Sequence, residues 1–258
     1  MPTRAPSSVA DVLSLLVTAP GRPRLTWYGA DGERVELSGA VLDNWVSKTT
    51  NLLVEEYDAE PGSTVLIDLP PHWRAVLWAL AVWRAGGTVL LPGAGGGGPV
   101  DLTVTDRPAA HGARPHAVVA VALPALARRF EGDLPTGAVD AAQAVMTYGD
   151  VIGWAPPTDP DRAALVGPAA GSTDLPVAHA GLVAAARASA ATAAPGARTL
   201  LPVPGTRSGT GELLLRTLGV LAADGSVVLL ADGADDPAAR TSRTDRVVAD
   251  ERVTARLD

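Results

Sequence analysis

Two hydrophobic periods alternate along this chain. Residues 64–69 (Thr-Val-Leu-Ile-Asp-Leu) are a short β-branched and aliphatic run between Pro61-Gly62 and Pro70-Pro71, the pattern of a buried strand bounded by turn signals. Residues 72–85 follow at helical length, and Ala75, Val76, Leu77, Trp78, Leu80, Ala81, Val82 and Trp83 leave little polar face. Such a helix is expected to be covered by protein on both sides. Gly86 and Gly87 supply its stop, and residues 88–91 read as a second buried strand. Two apolar strands joined by a helix require a right-handed crossover in a parallel sheet, so the unit over 61–92 predicts Leu77, Leu80 and Ala81 inside.

The rest of the chain repeats these periods. Ser8 is placed to cap a helix reaching Val17, with Val9, Val12, Leu13 and Leu16 on one face. Residues 24–28 and 33–36 predict a hairpin around Ala30-Asp31-Gly32. Ser38 then opens a helix with an inward stripe of Val41, Leu42, Trp45, Thr49, Leu52 and Leu53. Further strands are predicted at 100–105, 118–121, 163–166, 199–203 and 227–230. Helices are predicted at 122–130, 140–146, 178–192, 211–222 and 241–257. The fold expected is α/β: a layered, mostly parallel sheet with helices on both faces. One domain over 1–258 is expected, with a Pro-rich connector near 153–162 as the place where two subdomains would join.

Composition narrows the chemistry. The 258 residues are 47% hydrophobic, enough for a substantial core, and carry a formal net charge of −7 with scattered acids. That balance argues against nucleic acid or an anionic membrane as partner. Cysteine is absent, and His72, His111, His116 and His179 have no metal-ligand spacing. No apolar run is long enough for a membrane span and no leader pattern opens the chain; a cytoplasmic protein is expected.

The order of elements from residue 25 to 230 resembles the opening of the adenylate-forming enzymes, the acyl-CoA synthetases and their relatives. The residues that carry the likeness are Leu25-Thr26-Trp27-Tyr28, the Asp31-Gly32 turn, Pro61-Gly62, the Pro-bounded helix and Ala85-Gly86-Gly87. It resembles more closely a short group of such proteins that stop before the complete enzyme does. The resemblance implies a fold like the N-terminal subdomain of acyl-CoA synthetases and ATP or AMP as the cofactor to test. It also implies a phosphate-cradling loop after the strand at 163–166. Gly171, Ser172, Thr173 and Pro176 fall on that loop's positions, but Asp174 stands where a glycine would be and Val177 where the lysine would be. An aspartate inside an anion cradle repels phosphate, and losing the lysine removes the compensating charge. The plainer reading makes this a strand-to-helix connection, with Asp174 capping the helix.

A second anion-site candidate is Arg207-Ser208-Gly209, between a strand and a helix, with Arg207 as counter-charge. It has no P-loop spacing, and with no lysine and with the acidic Glu212 beside it a flexible Gly/Ser loop is the favoured reading. The run at 93–98 matches Gly-x-Gly-x-x-Gly literally, yet a strand pattern rather than a helix follows it, which disfavours a dinucleotide site. His179 reads as a packing histidine, and Trp73, Trp78 and Trp83 as core or partner-facing residues. No catalytic residue is assigned. The resembled enzymes' later motifs, including a C-terminal catalytic lysine, have no counterpart here. Together these features predict a non-catalytic relative that binds a nucleotide or acyl compound weakly or serves a protein partner. The alternatives are an ATP-dependent acyl-adenylating component completed by another chain, and a small-molecule binding protein.

Overall fold

The computed structural model describes residues 5–94, 99–111, 116–168, 176–233 and 236–257. Helix α1 (Val9–Leu16) opens on a capping box in which the Ser8 hydroxyl accepts from Asp11 N–H and the Asp11 carboxylate accepts from Ser8 N–H. Strands β1 (Pro23–Tyr28) and β2 (Arg34–Ser38) form the expected antiparallel hairpin, turned at Gly32 with φ +90°. Ser38 caps α2 (Gly39–Tyr57). The predicted crossover unit follows as β3 (Thr64–Asp68), α3 (Trp73–Arg84) and β4 (Thr88–Leu90). β3 and β4 are parallel, Val65 opposite Val89, and every residue over 75–83 is buried, Leu77, Leu80 and Ala81 among them.

The chain continues through β5 (Leu102–Thr105), β6 (Ala117–Ala120), β7 (Val139–Asp140), α4 (Ala141–Ala144), β8 (Ala163–Val166) and β9 (Val177–Ala178). It then forms α5 (His179–Ser189), β10 (Arg198–Pro202), α6 (Thr210–Ala222), β11 (Ser226–Leu230), α7 (Pro237–Asp250) and β12 (Ala255–Arg256). The fold is α/β and mostly parallel, with its strands divided over two sheets. The larger has the order β7-β6-β5-β3-β4-β8-β9, with only β9 antiparallel to its neighbour. The smaller has the order β12-β10-β11-β1-β2, with only β2 antiparallel. Helices α3 and α5 contact the larger sheet, α2 and α6 contact the smaller, and α3 touches both α2 and α6. The sheets therefore share one core through a layer of helices. In the smaller sheet, Leu201, Val227 and Leu229 join that core, while Leu200, Val228 and Leu230 face α7 and its Val247, the two-residue period of a strand covered on both faces.

Two expected elements differ. Residues 122–130 form turns instead of a helix; the carbonyls of Leu123, Pro124 and Ala125 accept from the Arg74 guanidinium, so they are taken by a side chain. The last helix starts earlier and ends earlier than expected. Asp236 caps it with Pro237 in the first turn. It stops at Glu251, before Arg252 turns left-handed at φ +50° and the chain pairs as β12 with β10.

Helices α5 and α6 approach closely at Gly219, where a Cβ would lie 2.1 Å from the Ala186 carbonyl oxygen. Gly219→Ala is expected to push the pair apart at a cost of about 1–3 kcal/mol, measured by urea denaturation. An unchanged midpoint would mean that α5 retreats freely. Among the described residues, no helix is long and apolar enough to cross a membrane.

Candidate functional site

The parallel strands of the larger sheet end in a cluster of charged side chains. β3 closes on Asp68, a carboxylate inside the otherwise aliphatic run Val65-Leu66-Ile67. It is only 4% exposed. Because β5 lies beside β3 with Thr105 opposite Asp68, the chain leaving β5 carries Arg107 to the carboxylate. Arg107 Nη2 donates to both Asp68 oxygens at 2.9 and 3.0 Å. The 3-10 turn Pro108–His111 then folds back and sets His111 Nε2 2.8 Å from Asp68 Oδ2. Burial alone would raise the Asp68 pKa, but the His111 and Arg107 hydrogen bonds, with the charges of Arg107 and Arg207, hold it below the ordinary carboxylate value.

Arg207 reaches this cluster from the smaller sheet. Arg207, Ser208 and Gly209 form a 3-10 turn between β10 and α6. Arg207 Nη1 donates to the Asp68 carbonyl at 2.9 Å, and Nη2 to Asp106 Oδ2 at 2.8 Å. Thr210 Oγ1 donates to the Leu69 carbonyl at 3.1 Å. The β10–α6 connection is thus clasped to the end of β3, and the carboxylates of Asp68 and Asp106 balance the guanidiniums of Arg107 and Arg207.

A cavity of about 460 Å³ opens beside the clasp, with Leu66, Asp68, Leu91, Pro92, Arg107 and His111 in its wall. β8 leaves next to it: Leu91 N–H donates to the Val166 carbonyl at 2.9 Å. A Cβ on Gly167, at φ +126°, would meet Leu91 Cβ at 2.9 Å. Gly171, Ser172, Thr173 and Asp174 lie outside the described residues, as do residues 95–98 of the glycine run. Val177, at the lysine position, sits half-buried in β9 opposite Leu165. The helix after the loop starts at His179, and its N-cap is Ala178 with no capping side chain; the cap expected from Asp174 is not how α5 begins. After the glycine run the next element is β5, a strand.

His179 and His72 pack and cap rather than line the cleft. His179 Nε2 lies 3.2 Å from the Gly87 carbonyl, and burial lowers its pKa. His72 caps α3, accepting from Arg74 N–H at Nδ1, and its ring packs tilted against Trp27 with the centroids 4.3 Å apart. Burial pushes its pKa down to about 3, so it is neutral at physiological pH. Among the described residues, no group of three or more His, Asp or Glu could hold a metal ion. Asp68, Asp106, Arg107 and His111 went unrecognised in the sequence. The signals were a charge at the end of an apolar strand and a Thr-Asp-Arg run at the end of the next.

No family model matches the chain. It is 34% identical over 262 residues to a TIGR03089 family protein of Mycobacterium tuberculosis, across 98% of both chains. The chain belongs to the TIGR03089 family. Solved structures similar to this family member include the Brucella canis acyl-CoA synthetase, at 18% identity and a TM-score of 0.70 over 96% of this chain. The acetoacetyl-CoA synthetase from Streptomyces lividans also gives 18% and 0.70 over 96%. The amide bond synthetase McbA from Marinactinospora thermotolerans gives 20% and 0.63 over 96%. These likenesses establish a fold like that of the acyl-CoA synthetases. The TIGR03089 member spans about half the length of those proteins: 49%, 42% and 48% respectively.

Proposed function

We propose that this chain is a non-catalytic relative of the AMP-binding acyl-CoA synthetases, a cytoplasmic protein that binds a nucleotide or acyl compound weakly in the cleft at the strand ends. The observation that carries this reading is the engagement of the cations there. Arg107 is bound to Asp68, and Arg207 to the Asp68 carbonyl and the Asp106 carboxylate. A phosphate entering the cleft must compete with those carboxylates for the arginines and is repelled by them. In sequence, Asp174 and Val177 compound the deficit, because the loop that would hold phosphate carries an acid and lacks its lysine. Adenylation depends on clamping charge that develops at phosphorus, and the described part of the cleft offers only self-neutralised groups for it.

The test is pyrophosphate exchange into ATP by the unmodified chain with short, medium and aromatic carboxylic acids. The expected result is no exchange above the protein-free rate. A thermal-shift series with ATP, AMP and acyl-CoA is expected to give small, saturable rises for a weak ligand. Robust exchange by the chain alone overturns the reading. The second reading, an acyl-adenylating component completed by a partner chain, is favoured by the match of 96% of this chain to proteins named as synthetases. It requires exchange that appears only when a co-purified partner is added.

A further inference from the structure

Away from the strand-end cleft, a second pocket of about 460 Å³ lies between α2, α3, the segment after β6, and α4. Trp45, Leu77, Trp78 and Val145 give it apolar walls. Leu126, 93% exposed, and Met146, 58% exposed, stand at the same pocket. Its size falls in the range of small-molecule sites, about 300–1,000 Å³. Its charge is the informative feature. The chain carries a net −7, yet the lining holds two arginines, Arg74 and Arg128, and no carboxylate.

Arg74 is held in place by neutral groups. Nε donates to the Leu123 carbonyl at 3.0 Å and Nη2 to the Pro124 carbonyl at 2.8 Å, while the guanidinium lies 4.4 Å from the Trp73 ring centre. It forms no ion pair with a described residue, and Nη1 makes no hydrogen bond to one. Burial lowers its pKa to about 10, opposed by the Glu33 carboxylate, so it stays protonated at neutral pH. Glu33 forms no ion pair with Arg74, and its Oε1 accepts from Ala125 N–H at 2.7 Å. A partly buried, preorganised cation without a paired acid gains most from an anion that arrives with its own apolar body.

We propose that this pocket binds a small organic anion, its head group on Arg74 and its apolar body between Trp45 and Trp78. The site is separate from the strand-end cleft and does not depend on the reading given for it. Three features define the ligand class together: apolar walls exclude a bare inorganic anion, the unpaired arginine disfavours a cation, and the volume fits a small molecule.

The experiment is calorimetric titration of the full chain with octanoate, benzoate and 1-octanol. An acid is expected to bind, with octanol weaker by on the order of tenfold, the ratio one charge-assisted hydrogen bond provides. Arg74→Gln should bring octanoate to the octanol level and leave octanol unchanged. Because Arg74 also tethers residues 123–125, Ala142→Phe provides an independent arm: it fills the pocket without touching Arg74 and should abolish binding of acid and alcohol alike. Circular dichroism melts establish that both variants fold. Equal binding of octanoate and octanol overturns the proposal. So does octanoate binding that survives Ala142→Phe, which would locate it elsewhere, or failure of both acids to bind.

Discussion

Trp83→Ala is expected to lower the unfolding free energy by about 3–5 kcal/mol, the range for removing a large aromatic side chain from a packed core. Trp83 is among the largest fully buried side chains, at 2% exposure. It lies near the end of α3, the helix that bridges the larger sheet to α2 and α6. Its indole Nε1 donates to the Ala164 carbonyl in β8 at 2.8 Å, so the residue both fills space and ties the helix to a strand two positions along from β3. Alanine removes the transfer energy of the ring, leaves a cavity that surrounding backbone cannot close, and strips Ala164 of that donor. Trp83→Phe separates the two effects: it keeps most of the volume and loses the bond, and should cost clearly less. Equilibrium urea unfolding with an unchanged denaturant slope measures both. A loss under about 1 kcal/mol for the alanine variant would mean that the helix layer repacks and that α3 is not the rigid centre of the fold.

That centre was legible before the structure. The 61–92 unit combines a strand of the right length, an all-apolar helix and glycine stops, and each local signal agrees with the others. What periodicity does not contain is which strands become neighbours. β1 pairs with β11, Leu25 opposite Val227, across most of the chain, and nothing local to either strand announces it. Hence the α/β class was readable and its division into two sheets was not. The helix expected at 122–130 failed for a related reason, since Arg74 from α3 takes its carbonyls. The phosphate-loop residues were nameable because resemblance aligns them residue by residue. The Asp68 clasp was not, because it is assembled from β3, the end of β5 and the β10–α6 turn, which meet only in three dimensions. Arg207 shows the limit well: its charge and its place between strand and helix were visible in sequence, and its engagement by Asp68 and Asp106 was not.

Asp68→Ala tests that clasp and carries a distinct acid signature. Removing one partner of a buried ionic cluster typically costs about 3–5 kcal/mol, because the remaining charges stay desolvated and unpaired. Arg107 is about half exposed, so water recovers part of its solvation and the expected loss is near 3 kcal/mol. The pH dependence follows from the direction of the Asp68 shift. Its carboxyl titrates lower in the folded protein than in the unfolded chain. As pH falls, the unfolded state therefore takes up the proton first. The stabilisation is fully present above the ordinary aspartate value of about 4, and is lost as pH falls below it through the folded-state pKa. Wild-type stability should fall on the acid side of that value, and Asp68→Asn, which does not titrate, should fall less steeply over the same interval. Arg207 Nη1 also lies 3.6 Å from the Asp68 carboxylate, so losing that charge should loosen the β10–α6 connection and amide exchange at residues 206–210 should quicken in Asp68→Ala. The acid slope and the exchange read different things: the first reports the carboxyl, the second the fastening of the two sheets. Identical acid slopes in wild type and Asp68→Asn would show that the carboxyl is not held low. Unchanged exchange at 206–210 would show that the main-chain carbonyl of residue 68, Asp106 and Thr210 hold the connection without the carboxylate.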